Sequence, residues 1–290
     1  MLLTLFLLCA IWFAPVQGRP LNQLRGLTQL AKFVASLVVV LGHEGMFYRC
    51  GFAPWVVREM NYGQLCVAFF FFMSGYGLQL GAMRKGVDRG WLWKRVPKLV
   101  VPALTASALY VATRAALGKD VDWGCYLRWN FLDNANLPYG WFVPVILTLY
   151  VVFYVCHRIL PQKKAFAAVH LAVAGMMGSM LCLRFPTWYI VGLPCFLMGM
   201  WLPRLEESPY RVQAWDGRLW TTLTAVLLLV SIRLNWVQEW IPFLNRWRYM
   251  YMSFYVQNVL LVLALAYVLM RLPATKWMEH RGGGTFMKYT

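Results

Sequence analysis

Eight apolar stretches, each near the roughly 20 residues that an α-helix needs to cross a bilayer, dominate this sequence and leave little else for it to fold into. They run over about 27–43, 64–83, 97–117, 139–157, 165–183, 187–202, 218–233 and 250–270. Inside hydrocarbon every backbone N–H and C=O must find a partner within the protein, and consecutive spans of this length do so as helices. The fold class expected is therefore all-α, a polytopic bundle of transmembrane helices. Composition agrees, because only 13% of the residues are charged against about a quarter in a soluble domain. Turn formers such as Gly86 to Gly90 and Asn134 to Pro138 separate the stretches. No internal repeat is visible.

The net charge of +17 would suggest a nucleic-acid partner in a soluble chain. Its distribution points elsewhere. One alternate set of connections (19–32, 84–98, 158–164, 204–218 and 271–281) holds 18 Lys and Arg, and the other set holds 8. The positive-inside rule places the richer set in the cytoplasm, so the partner expected is a lipid bilayer and no nucleic acid. A multi-pass protein of the plasma or cytoplasmic membrane follows.

Both ends stand apart from this pattern. Residues 1–18 form an apolar segment resembling a signal peptide without its basic n-region, ahead of a membrane domain spanning 19–290. Cleavage would leave Arg19 and Arg25 outside, against the charge count, so an uncleaved extra helix or a surface-lying segment is expected. At the other end the chain turns apolar as it stops, like a partial span. The seven cysteines show no metal-ligand spacing and no metal is expected. Cys50 and Cys125 fall in loops on the outer side, where an oxidising compartment would permit a disulfide.

Ionisable side chains within a span are costly and usually mark a function. Lys32 and His43 lie in or beside the first span. Eleven helical residues bring them within about 20° of one face, separated by about 16 Å along the axis. The structural alternative is a snorkelling Lys32 and an interfacial His43. Glu44 follows His43, and a carboxylate beside an imidazole can fix its tautomer or stabilise its cation, provided that the helix ends there. In the second span, Ser74 is either a packing residue among small neighbours or a ligand contact. The sequence has no Gly-x-Ser-x-Gly elbow, so a serine nucleophile is not expected. Lys94, Arg95 and Lys98 share a face of the densest basic run, which serves topology and anionic lipid or grips the phosphates of a nucleotide-like donor. His157, His170 and His280 have no metal-like partner in sequence and read as incidental. Tyr62, Trp123, Trp129, Trp236, Trp240 and Trp247 fit an interfacial aromatic belt or a sugar-stacking surface.

Lys32 to His43, with Ala35 and Val39, resembles the basic-residue, ten-residue gap, His pattern of the acyltransferase 3 family of integral membrane acyltransferases. Gly63, Val67, Phe70, Phe71, Ser74 and Gly75 resemble that family's second segment, and KRVPKLVVP its basic segment ending in Pro. PYGWFVPVILTLY, around Trp141, and LPCFLMGM, around Gly199, resemble its later helices. Lysine replaces the usual arginine at Lys32 and Lys98, which keeps the charge and loses the planar fork. These motifs cover about residues 25–205.

The resemblance implies transfer of an acyl group, most often acetyl, from cytoplasmic acyl-CoA to a hydroxyl of a glycan, lipid or other acceptor. It implies donor binding by Lys32, Lys94, Arg95 and Lys98, catalysis by His43 with Glu44, and substrate contacts at Ser74 and Trp141. The rival reading is a transporter or glycan exporter whose pathway Lys32 and His43 line.

Overall fold

A computed structural model of the chain describes residues 21–43, 63–121, 140–207, 258–260, 262–267 and 269–270. Among these residues there are helices and no strands. The principal helices are α1 (Arg25–His43), α2 (Gly63–Lys85), α3 (Trp91–Ala116), α4 (Phe142–Ile159), α5 (Gln162–Cys182) and α6 (Leu193–Glu206). Four of them, α2 to α5, are long and apolar enough to cross a membrane, and α1 carries a shorter apolar stretch, Gly26–Val40. The expected spans 64–83, 97–117, 139–157 and 165–183 thus each fall on a helix of suitable length. The 1–18 segment, the 218–233 span, the final apolar residues, Glu44, Cys50 and Cys125 lie outside the described residues, and the 250–270 span is described only in part.

Two starts differ from the sequence reading. Helix α3 begins at Trp91, six residues before the expected boundary, because Pro97 and Pro102 are accommodated inside it. The run Lys94 to Lys98 is therefore its first turns rather than a loop. In place of an unbroken 187–202 span, a 3-10 turn at Thr187–Tyr189 precedes the 14-residue α6. Pro194 in the first turn suits a fresh helix start at this point. At about 21 Å, α6 is shorter than the roughly 30 Å hydrocarbon core.

The chain divides into two compact units, one of residues 81–190 and the other of the flanking segments 1–80 and 191–290. In the flanking unit, α2 and α6 cross at two glycines. A Cβ at Gly75 would run into the Phe196 carbonyl, and one at Gly199 into the carbonyl of Phe72. Only glycine lets the backbones meet this closely. Phe69, Phe71, Phe72 and Leu78 of α2 and Leu193, Phe196 and Met200 of α6 are fully buried. Gly192 likewise makes room for the Phe71 ring.

A carboxylate secures one end of this unit. Glu206, in the last turn of α6, accepts from the backbone N–H of Leu21 and from the Tyr76 hydroxyl, both at 2.8 Å. One side chain thereby joins the approach to α1, the middle of α2 and the end of α6. Leu24, Leu27, Thr28 and Ala35 form the buried stripe of α1, while Phe33, Val34, Leu37 and Val40 are exposed, as befits a helix with one face in lipid.

In residues 81–190, α4 and α5 form an antiparallel hairpin joined through Leu160 and Pro161. Leu160 is extended, as a residue before proline prefers, and the Pro161 carbonyl accepts from Ala165 N at 2.8 Å, starting α5 at once. Val145, Ile146, Leu149 and Phe153 of α4 and Ala165, Phe166, Val169 and Val173 of α5 are buried at helical spacing. Helix α3 packs on α4, with Trp91 and Val111 buried. A stop signal ends α2, where Gly86 takes φ +69 and its N–H reaches the Ala82 carbonyl at 3.0 Å.

Replacing Gly199 by Val should destabilise the protein by about 2 kcal/mol or more, because the added methyls meet backbone atoms that cannot turn aside. A lowered thermal midpoint in detergent, by fluorescence-detected size exclusion, checks this. Glu206→Ala should cost about 2 kcal/mol in the same assay, through the two donors it strands.

Candidate functional site

Helix α1 runs unbroken from Arg25 to His43. Lys32 and His43 therefore lie on one continuous helix, eleven residues or about 16 Å apart along its axis. Lys32 flanks the buried stripe of α1 rather than lying within it. Lys32 is half-buried, and among the described residues no acid or hydrogen-bond acceptor meets its ammonium. One turn on, Ser36 Oγ donates to the Lys32 carbonyl at 2.9 Å, so its hydroxyl is held by the helix itself.

The basic run at the start of α3 resolves into three different environments. Lys94 Nζ meets Asp88 Oδ2 at 2.8 Å in an exposed pair, the kind worth little in stability. Lys98 is exposed. Arg95 is half-buried, with its guanidinium carbon 4.5 Å from the centroid of the Trp91 ring. The three cations share a stretch of helix, yet Lys94 turns to the preceding loop and Arg95 to an aromatic face.

Trp91 is held from behind by α4. Its ring lies 5.5 Å from Phe153 and 6.1 Å from Tyr154 in stacked arrangements, and 6.2 Å from Tyr150. The Tyr154 hydroxyl donates to the Arg89 carbonyl at 3.3 Å, tying the cluster to the turn before α3. Gly81, near the end of α2, contributes by lacking a side chain, since a Cβ there would lie 3.3 Å from Arg95 Nη2. Phe153 also stacks on His157 at 4.2 Å, and Phe166 packs on His170 at 4.3 Å, whose Nδ1 lies 2.8 Å from the Phe166 carbonyl. The latter two histidines belong to packing.

Trp141 immediately precedes α4, with its ring 5.4 Å from Tyr189. The residues of α4 that carry Trp91 come nine to thirteen positions later, which is about 14–20 Å along the helix. Trp141 and Arg95 thus occupy opposite ends of residues 81–190. Ser74 is half-buried on α2, beside Gly75. Five residues further on, Gln79 is completely buried, and neither of its amide atoms has a hydrogen-bond partner among the described residues. A buried amide in that state costs stability unless something else satisfies it. No group of three or more potential metal ligands occurs among the described residues.

Trp91, Gly81, Gln79, Tyr76 and Glu206 were not singled out by the sequence. Trp91 alone had a legible signal, four residues before Arg95 and hence over the same helical face.

Comparison with curated proteins and with solved structures returns no match. A family model described as an acyltransferase domain matches residues 29–289, which takes in α1 from residue 29 onward and extends well beyond the motifs ending near residue 205. With nearly the whole chain matched and four of its described helices long and apolar enough to cross a bilayer, this integral membrane protein belongs to the acyltransferase 3 family.

Proposed function

We propose that the protein transfers an acyl group, most simply acetyl, from acyl-CoA on the basic side of the membrane to a hydroxyl of a glycan, lipid or other acceptor. What supports this reading is the family match over residues 29–289, together with the unbroken helix on which Lys32 and His43 lie eleven residues, or about 16 Å, apart. That separation suits a long, thin donor.

In this reading Arg95, with Lys94 and Lys98, binds the phosphates of the donor, and Lys32 meets further donor charge or orders the approach. The thioester reaches His43. As a general base, the imidazole takes the proton of the acceptor hydroxyl, whose oxygen forms the new ester bond as the carbon–sulfur bond breaks, and the proton passes to the departing thiolate. As a carrier, His43 takes the acyl group first and yields it to the acceptor in a second step. Glu44 stabilises the imidazolium formed in the first route and orients the ring in both. Ser74 and Trp141 are assigned to substrate contacts, Trp141 on the acceptor side because it stands at the far end of α4 from Arg95.

His43→Ala should abolish transfer of labelled acyl groups from acyl-CoA by membranes, at matched expression. Equal transfer by both proteins would remove His43 from the mechanism. Exchange of label between acyl-CoA and free CoA without acceptor identifies the carrier route, and its absence the general-base route. Arg95→Gln should raise KM for acyl-CoA about tenfold or more, as expected for a charge-assisted fork lost from a phosphate. Lys94→Gln should change it by less than about threefold, because Lys94 already shares its charge with Asp88.

A further inference from the structure

Arg95 is an unusual half-buried cation, since among the described residues its surroundings are the Trp91 ring face, Tyr150 and a glycine rather than a carboxylate. An aromatic face attracts a guanidinium without accepting its N–H bonds, which stay available to an anion. The ring below is itself fixed. Trp91 is only 6% exposed and rests on Phe153, Tyr154 and Tyr150 of α4. On another side, the absence of a side chain at Gly81 admits the guanidinium close to the backbone of α2.

We propose that Trp91 is a positioning residue for the donor: it holds the Arg95 fork in its anion-binding attitude and so sets donor affinity without touching the donor. This rests on the assignment of Arg95 to the donor's phosphates. A long arginine side chain free in solution loses rotamer freedom whenever it grips an anion. Stacked on a ring that cannot move, Arg95 has lost that freedom already, so phosphate binding meets a prepared group. Trp is the most effective ring for this purpose, with Phe and Tyr weaker and aliphatic side chains ineffective.

The test is steady-state transfer by the full-length protein in membranes, with acyl-CoA and with phosphate-free acyl-pantetheine as donors. Trp91→Leu should raise KM for acyl-CoA about tenfold, leave kcat within about twofold, and leave KM for acyl-pantetheine unchanged. Trp91→Phe should restore most of the affinity. The double variant Trp91→Leu with Arg95→Gln should bind acyl-CoA no worse than Arg95→Gln alone, because the indole then has nothing to position. A Trp91 that merely supports the fold would lower kcat and protein yield with both donors alike, and its effect would add to that of Arg95→Gln. Should Trp91→Leu fail to assemble, Trp91→Met, which also lacks a π face, carries the same comparison, and an unchanged KM for acyl-CoA in it overturns the proposal. An Arg95→Gln variant with unchanged KM overturns the donor assignment itself. A raised KM in Arg95→Gln beside an unchanged one in Trp91→Leu overturns only the positioning role.

Discussion

Much of the flanking unit depends on the contact between α2 and α6 at Gly75 and Gly199, where a side chain on either glycine would meet the other helix's backbone. In a bilayer, helices gain little from burying apolar side chains against one another, because lipid is equally apolar. Association there needs close backbone approach or polar bonds, and this unit has both. The glycines bring peptide groups of α2 and α6 together, which in turn places Tyr76 where its hydroxyl reaches Glu206. Glu206 then captures Leu21, so the start of α1 is fixed by a contact made far along the chain. The helix that carries Lys32 inherits the position of its start from that sequence of contacts.

Residues 81–190 are held differently. There a tight turn through Pro161 makes α4 and α5 neighbours by connectivity, and regularly spaced Val, Leu and Phe residues fill the seam. The aromatic cluster around Trp91 fastens α3 to the same hairpin. A chain with 28 basic and 11 acidic residues cannot give each cation a carboxylate. Within this unit, aromatic faces do part of that work.

Helices α2 to α5 were legible because span length and hydropathy are local properties, read without knowing what each helix touches. The starts of α3 and α6 were not. Whether Pro97 begins a span or lies inside one depends on the residues around the basic run, and a 3-10 turn before Leu193 leaves no mark in hydropathy. The unbroken helix from Arg25 to His43 was legible for the same local reason. Gly75 and Gly199 each lay in a recognisable motif, but their pairing joins positions more than a hundred residues apart. Glu206 escaped notice because its partners, Leu21 and Tyr76, are equally remote, and nothing in a lone glutamate names a backbone N–H as its target. The different fates of Lys94 and Arg95 turned on Asp88 and Trp91, and helical periodicity cannot say which neighbour each side chain will choose.

The stack of Arg95 on Trp91 also bears on how the site behaves between turnovers. A cation balanced by a carboxylate must break that pair before it can accept another anion, and the displaced acid then competes for its return. A cation resting on a π face has no internal anion to evict. An arriving phosphate replaces only water, and after it leaves the guanidinium returns to the same ring without an intervening rearrangement. Such a site resets passively, and its vacancy is contested chiefly by small anions of the surrounding solution.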